Sequence, residues 1–262
     1  MSYSKLSYCL DNNKEDKIPY RLSFNKLFPV KHINFRIVIK KKIEKIDDII
    51  DIIDEYPLIE GVDYNIDLKL LYKIKKPLLK LQSMVGMYEI KNNIIEQILY
   101  YLQNLHNNND YLHTVIYGPP GTGKTEISKI IGEIFINIGI LKKKIFKKVT
   151  RSDLIAGFLG QTAIKTKTVI DECLGGVLFI DEVYSLGNNN KSDSFSKECI
   201  DTLCEALSEH KNNIMVIVAG YEKEIKECFF SYNDGLESRF MWKYSIDKYN
   251  ENELYEILKK KI

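Results

Sequence analysis

One string, GPPGTGKT from Gly118 to Thr125, restricts the possible folds of this chain more than any other feature. It matches the pattern G-x-x-x-x-G-K-[ST], in which glycines let backbone N–H groups turn inward around the phosphates of a nucleotide. The pattern carries this meaning only between a buried strand and a helix N-terminus. An apolar run, HTVIY, precedes the string, and a helix-like run, EISKIIGEIFINIG, follows it. This context favours a phosphate loop over an ordinary glycine-rich surface turn.

The residue types in this loop predict how a nucleotide would be held. Gly118, Gly121 and Gly123 allow tight turns and close approach of the backbone. Lys124 would reach the β and γ phosphates, and Thr125 would hold Mg²⁺. The predicted nucleotide-binding set in this stretch is Gly118, Pro119, Pro120, Gly121, Thr122, Gly123, Lys124, Thr125 and Glu126.

A second motif, GGVLFIDE from Gly175 to Glu182, is a short apolar strand that ends in two acids. Ligands of open α/β sheets bind at the carboxyl ends of the strands, so these acids would lie near the phosphate loop. We expect Asp181 to hold Mg²⁺ through water and Glu182 to polarise the attacking water. An acidic pair after a strand is also common as a polar turn, but its position after a phosphate loop favours catalysis. The pair makes nucleotide hydrolysis the expected reaction.

Apolar runs alternate with helical patterns after Pro77, which predicts a mostly parallel sheet with helices on both faces. The runs cover 114–117, 145–149, 177–180 and 214–219, and a helix with one apolar stripe is expected from Tyr88 to Leu105. We therefore predict a three-layer α/β domain over residues 81–248.

The part before this domain is predicted in two pieces. Residues 1–32 show no clear period and stay poorly defined, whereas 33–76 have the pattern of a small α+β appendage. In the appendage, an alternating strand precedes a helix that Pro57 ends, and a second helical stretch, DLKLLYKIKK, leads to Pro77.

Composition limits the other classes of function. Lys and Arg number 38 against 36 Asp and Glu, so the net charge of +2 disfavours a dedicated nucleic-acid binder. The five cysteines form no C-x-x-C pair, which argues against a zinc site or a disulfide framework. The first residues lack the apolar core of a signal peptide, and charged residues interrupt every apolar stretch before it could span a bilayer. We expect a soluble, cytoplasmic protein without a membrane partner.

Two longer blocks, the first of which contains the acidic motif, resemble the CbxX/CfxQ family of AAA+ ATPases. This family includes red-type Rubisco activases and the stage V sporulation protein K. The blocks are VTRSDLIAGFLGQTAIKTKTVIDECLGGVLFIDEVYSLG, from Val149 to Gly187, and NIMVIVAGYEKEIKECF, from Asn213 to Phe229. The resemblance extends from near Leu81 to the end of the chain. It implies a P-loop AAA+ domain with a five-stranded sheet that binds ATP and Mg²⁺ and hydrolyses the ATP. It also implies a hexameric ring of identical subunits that remodels a protein client.

The resemblance implies roles for residues outside the two motifs. Val85 and Gly86 match a stretch that packs against the adenine. Phe158, Leu159 and Gly160 match a loop that faces the central pore of an AAA+ ring and grips a polypeptide. The alternative for this loop is an aromatic side chain tucked under its own backbone, but exposed aromatics usually mark contact sites.

Arg239, in GLESRF, falls where an arginine finger projects into the nucleotide site of the neighbouring subunit. Such a guanidinium stabilises the charge that grows on the transferred phosphoryl group. A structural arginine paired with Glu237 or Asp234 is the alternative. If Arg239 is a finger, a monomer should hydrolyse ATP poorly, because one site needs residues from two chains.

The sequence departs from the AAA+ pattern in two places. Most AAA+ proteins have a polar sensor at the end of the fourth strand, whereas this sequence, like others of the family, has Ala219, Gly220 and Tyr221 there. The residue that orients the attacking water therefore stays open, and Tyr221 is a weak candidate. The chain ends near the point where the helical lid should begin, at 249–262, so a largely absent lid is expected. A lidless, ATP-holding scaffold is therefore the rival hypothesis. A DNA initiator or clamp loader shares the fold, but the aromatic loop and the balanced charge disfavour it.

Overall fold

The computed structural model describes residues 35–107, 109–158, 160–187, 193–233 and 235–260. The predicted segment 1–32 and Leu159 lie outside these residues. The described helices are α1 Ile46–Glu55, α2 Leu68–Ser83, α3 Tyr88–Leu102, α4 Lys124–Ile138, α5 Arg151–Leu154, α6 Thr162–Cys173, α7 Ser194–Glu209, α8 Glu222–Cys228 and α9 Glu251–Lys259. The described strands are β1 Phe35–Ile37, β2 Val62–Tyr64, β3 Thr114–Tyr117, β4 Phe146–Val149, β5 Val177–Ile180, β6 Met215–Gly220 and β7 Trp242–Ser245. Short 3-10 turns lie at Val183–Leu186, Phe230–Tyr232 and Glu237–Arg239.

Five strands form one parallel sheet in the order β4-β5-β6-β3-β7. At the end of β3, Tyr117 lies opposite Gly220 of β6 on one side and Ser245 of β7 on the other. The strands therefore end at one common edge, which carries the loops that follow β3, β5 and β6. This arrangement confirms the predicted three-layer α/β fold with a five-stranded sheet.

Each face of the sheet packs against its own apolar cluster, as expected for a parallel sheet that is buried on both sides. Leu178 and Phe179 are neighbours in β5 and point to opposite faces. Phe179 joins the cluster that includes Ile131 of α4, whereas Leu178 joins the cluster that includes Ile200 of α7. No described helix has the length and apolar character that crossing a bilayer requires.

The segment predicted as an appendage packs into the first of these clusters. β1 and β2 form a separate two-stranded parallel sheet, with Phe35 opposite Val62. Ile49 and Ile53 of α1 are buried in the same cluster as Ile131 of α4. Helix α2 contacts both α1 and α4. The elements before α3 are therefore continuous in packing with the α/β domain.

Helix α2 differs from the prediction because it passes through Pro77 and ends at Ser83. Proline has no N–H, so the carbonyl of Lys73, four residues earlier, loses its helical donor. The Asn137 side chain of α4 donates to that carbonyl, with an Nδ2 to O distance of 3.0 Å. The expectation that this helical stretch ends at Pro77 is therefore wrong. The predicted boundary between 76 and 81 falls inside one helix.

Candidate active site

The loop between β3 and α4 turns tightly at the N-terminus of the helix. Gly121 and Gly123 adopt left-handed φ angles of +77° and +89°, which residues with a Cβ rarely adopt. Gly118 N donates to Gly220 O at 3.0 Å, which fixes the loop to the neighbouring strand. The first amides of an α-helix have no intrahelical acceptor and carry partial positive charge. The loop and the N-terminus of α4 therefore form a cradle for an anion.

Lys124 lies in the centre of this cradle. Its Nζ donates to the carbonyl oxygens of Gly118 at 2.8 Å and Pro119 at 2.7 Å, and its side chain is largely buried. Burial lowers the pKa of Lys124, while the attraction of Asp181 and Glu182 opposes that effect. The Lys124 ammonium is therefore close enough to both predicted acids to be attracted by their carboxylates.

Asp181 follows β5 at the carboxyl edge of the sheet. Its N–H donates to Val149 O at 3.1 Å, and its carboxylate pairs with Lys148 Nζ of β4 at 2.6 Å. The sequence does not predict the pair with Lys148, because that contact depends on the register of two strands that are distant along the chain.

Glu182 starts a strained turn. Its φ of +49° is left-handed, a conformation that is unfavourable by about 1–2 kcal/mol for an L-residue. The Glu182 carbonyl accepts a hydrogen bond from Ser185 N at 2.8 Å, at the beginning of the 3-10 turn Val183–Leu186. We call residues 182–186 the acidic turn. Burial and the nearby Glu182 carboxylate raise the pKa of Tyr184.

The end of β6 lies between the two motifs. A Cβ on Gly220 would come within 2.8 Å of the Tyr184 ring. The Tyr184 ring centroid lies 6.3 Å from that of Tyr221, the next residue after β6. Glycine at the predicted sensor position therefore makes room for an aromatic side chain. The sequence does not predict the part that Tyr184 takes in this site, because its neighbour across the sheet follows another strand.

The predicted adenine-binding stretch, which includes Val85, forms a tight turn between α2 and α3. Gly86 has a left-handed φ of +64°. Lys91 Nζ donates to Met84 O at 2.6 Å and so ties α3 to the start of the turn, and burial lowers the Lys91 pKa. A Cβ on Gly123 would lie 3.4 Å from Met84 Cε. The turn therefore lies directly beside the phosphate loop.

The segment around α9 also reaches this site, which the sequence does not predict. Tyr249 OH donates to Thr122 O of the phosphate loop at 3.1 Å. Glu253 of α9 lies against the adenine-binding turn, because a Cβ on Gly86 would clash with the Glu253 carboxylate. The described part of 249–262 therefore contacts both elements that are predicted to hold the nucleotide.

Comparison with known proteins identifies the family. The model of the "ATPase family associated with various cellular activities (AAA)" matches residues 114–239, the part that contains both motifs. A cfxQ-like protein of Acanthamoeba polyphaga mimivirus is 44% identical over 199 residues, which are 76% of this chain and 49% of that protein. The stage V sporulation protein K of Bacillus subtilis is 37% identical over 190 residues, which are 70% of this chain and 58% of that protein. This chain contains an AAA domain, and its relatives are AAA+ ATPases of CbxX/CfxQ type.

The fold of this AAA+ chain agrees with a solved relative. The crystal structure of the FIGL-1 AAA domain in complex with ADP matches with a TM-score of 0.51 at 18% identity, covering 68% of this chain and 59% of that chain. At this identity the match supports the fold alone. The chain spans about half the length of the two sequence relatives, so the activity of a whole protein is not transferred from them. Membership of the AAA ATPases does imply nucleotide binding.

In this AAA+ domain, Arg239 lies away from the phosphate loop of its own chain. Its Nε donates to Ser208 Oγ at 2.7 Å. Ser208 is in the last turn of α7, which leads to the amino end of β6, whereas the phosphate loop lies at the carboxyl edge. Of the two alternative partners, Glu237 pairs with Lys243 at 2.5 Å, and Asp234 lies outside the described residues.

The predicted pore loop of the AAA+ domain follows α5. The Phe158 side chain is 73% exposed, so in this structure the ring is not tucked under its own loop. Gly160 is also exposed and has a left-handed φ of +76°. Lys165 Nζ donates to Ile155 O at 3.0 Å, which ties the segment before the loop to α6.

The residues of the site fit a magnesium nucleotide. A Cβ on Gly118 would come within 2.8 Å of Ile246 O, so only glycine fits without a shift where the loop packs against the residue after β7. Thr125 is a half-buried residue in the first turn of α4, and Asp181 supplies a carboxylate. Hydroxyl, carboxylate and water oxygens are the ligands that Mg²⁺ takes. A bound magnesium nucleotide would supply the phosphoanhydride bond to be cleaved and a metal charge that stabilises the phosphates.

Proposed function

We propose that this chain is a ring-forming motor that binds ATP with Mg²⁺, hydrolyses the ATP between subunits and remodels a protein client. The observation that carries this proposal is that Arg239 and the phosphate loop lie at opposite edges of the sheet. The loop is at the carboxyl edge of the sheet, and the contact of Arg239 with Ser208 is at the amino edge. An arginine at that edge can stabilise a transferred phosphoryl group only in a neighbouring subunit.

Each predicted side chain has a role in this proposal. Lys124 would bind the β and γ phosphates, Thr125 would hold Mg²⁺, and Asp181 would hold it through water. Glu182 accepts a proton from the attacking water. Arg239 of one subunit stabilises charge in the site of the next. The turn between α2 and α3 packs against the adenine.

The exposed Phe158 supports the client-binding part of the proposal. Large exposed aromatic side chains mark contact surfaces, and the Phe158 side chain is on the loop between α5 and α6. In a closed ring each subunit presents the same surface around the axis. Copies of the loop would then surround one channel and grip a polypeptide through apolar contact.

A mixing experiment tests the intersubunit site. Lys124→Ala chains should lose ATP binding but keep the finger, and Arg239→Ala chains should bind ATP but lack the finger. Each variant alone should release phosphate at about one hundredth of the parental rate or less, since a finger is worth about 10³–10⁵ in turnover. A mixture should regain part of the rate, because a Lys124→Ala subunit can supply Arg239 to an intact neighbouring site. Lys226→Ala, which removes an exposed ion pair with Glu222, is the control and should behave as the parent.

The outcomes separate the two hypotheses. Mixed oligomers, verified by native mass spectrometry, that show no recovery would contradict the intersubunit site. A parent that binds ATP with Mg²⁺ but releases no phosphate would support the rival, an ATP-holding scaffold. In the same assay, an unfolded polypeptide should stimulate phosphate release and single-stranded DNA should not. Stimulation by the DNA alone would contradict a protein client.

A further inference from the structure

One guanidinium fastens the end of the acidic turn to the rest of the domain. Arg151 is the first residue of α5 and is separated from β4 by Thr150 alone. Its Nη1 donates to Ser185 O at 2.7 Å and Leu186 O at 2.9 Å. Its Nη2 donates to Asp193 Oδ2 at 2.7 Å, and Nη1 lies 3.1 Å from Ser196 Oγ. One side chain therefore joins the acidic turn to the N-terminus of α7.

The two carbonyls that Arg151 binds are at the C-terminal end of a short helix. Carbonyls in that position have no donor within their own helix. The carbonyl of Tyr184 accepts from Gly187 N at 3.2 Å, whereas those of Ser185 and Leu186 accept from Arg151. Hydrogen bonds from a charged donor are stronger than neutral ones. Arg151 thus completes the hydrogen bonding of the turn.

The other end of the acidic turn is strained. Glu182 has a φ of +49°, and such a conformation persists only where the surrounding structure holds it. The Ser185 N to Glu182 O bond of 2.8 Å ties the start of the turn to the residue whose carbonyl Arg151 binds. Without Arg151, Glu182 could relax to a right-handed conformation, which would redirect its carboxylate.

We propose that Arg151 is a positioning residue for hydrolysis, which holds the acidic turn so that the Glu182 carboxylate stays directed at the attacking water. This inference rests on the proposed role of Glu182 as the base. Arg151 acts through the backbone of the turn, since its bonds go to carbonyls and to the N-terminal residues of α7. A planar guanidinium can donate to several acceptors in one fixed geometry, which a lysine ammonium cannot reproduce.

Two variants test the proposal in the full chain. Arg151→Met removes every hydrogen bond of the guanidinium, and Arg151→Lys keeps the charge and serves if the first variant does not fold. Lys147→Met is the matched control, because Lys147 is on the adjacent strand β4 and pairs with Glu172 at the surface. The measurements are the kcat and KM of phosphate release, the affinity for ATP with Mg²⁺, and amide hydrogen exchange of residues 182–187 without nucleotide.

In Arg151→Met, kcat should fall about tenfold to a hundredfold, the loss that a displacement of about 1 Å can produce. Its affinity for ATP should stay within about twofold of the parent, because the groups that bind phosphate are untouched. Amides of the acidic turn should exchange faster, because the turn opens more often. The kcat and the amide exchange of Arg151→Lys should lie between those of Arg151→Met and the parent. Lys147→Met should match the parent.

Each other outcome has a definite meaning. Unchanged exchange of the acidic turn would overturn the proposal even if the parent hydrolysed no ATP, so this measurement does not depend on the proposed function. Faster exchange with an unchanged kcat would also overturn it, as would an affinity for ATP that falls in step with kcat. Absence of phosphate release from the parent would instead refute the proposed function and, with it, the catalytic meaning of the turn.

Discussion

Mild acid is expected to destabilise this protein through one buried histidine. His113 directly precedes β3 and is fully buried. Its Nδ1 accepts from Val216 N at 3.1 Å, and its Nε2 lies 3.2 Å from Leu207 O. Both bonds require a neutral ring that carries its proton on Nε2. Burial lowers the pKa of His113 from 6.5 to about 4, and the positive charge of Arg239 adds to this effect.

The size of the effect follows from proton linkage. Below pH 6.5 the unfolded chain binds a proton at His113, while the folded chain does so only below about pH 4. A tenfold difference in proton affinity corresponds to about 1.4 kcal/mol, so this histidine accounts for about 3 kcal/mol. Its contribution to stability is complete above pH 6.5 and is lost as the pH falls towards 4. The lowered pKa values of Asp153 and Asp193 act below their usual value of 3.8, outside this window.

Urea unfolding of the parent and of His113→Asn checks this prediction. The asparagine amide oxygen can still accept from Val216 N, but it does not titrate. The difference between the two free energies of unfolding should be constant above about pH 7 and should change by about 2.5 kcal/mol in favour of the variant at pH 4.5. Parallel pH profiles of the two proteins would refute the reasoning, because His113 would then take up its proton equally in both states.

Three further predictions concern the site and helix α2. Lys124→Ala should abolish the calorimetric signal of ATP binding, whereas Glu182→Gln should keep ATP binding and lose phosphate release; parental turnover in Glu182→Gln would contradict the assignment of the base. Gly86→Ala should lower stability in thermal unfolding by about 1–2 kcal/mol, because φ is +64° and the Cβ would meet Glu253. Adding Glu253→Ala should relieve only the steric part, so full recovery would contradict the backbone strain. Asn137→Ala should lower the free energy of unfolding in urea by about 1 kcal/mol without changing the affinity for ATP, and unchanged stability would show that α2 does not need this donor at its proline.

The sequence by itself determined the phosphate loop, the acidic pair and the fold class. A phosphate loop can be predicted from sequence because all of its groups are close along the chain. The glycines, Lys124 and Thr125 lie within one turn between a strand and a helix. The acids after β5 are readable because parallel strands end at a common edge. The alternation of apolar runs with helical patterns then predicted a three-layer α/β domain.

Only the tertiary structure decided the contacts that support this site. Helix α2 continues through Pro77 because Asn137, on another helix, supplies the missing donor. Arg151 reaches the acidic turn, and Tyr249 reaches the phosphate loop, across many intervening residues. The physical reason is the same in each case. Local patterns fix which groups a segment presents, but the register of the strands and the packing of the helices fix which distant groups come within hydrogen-bonding distance.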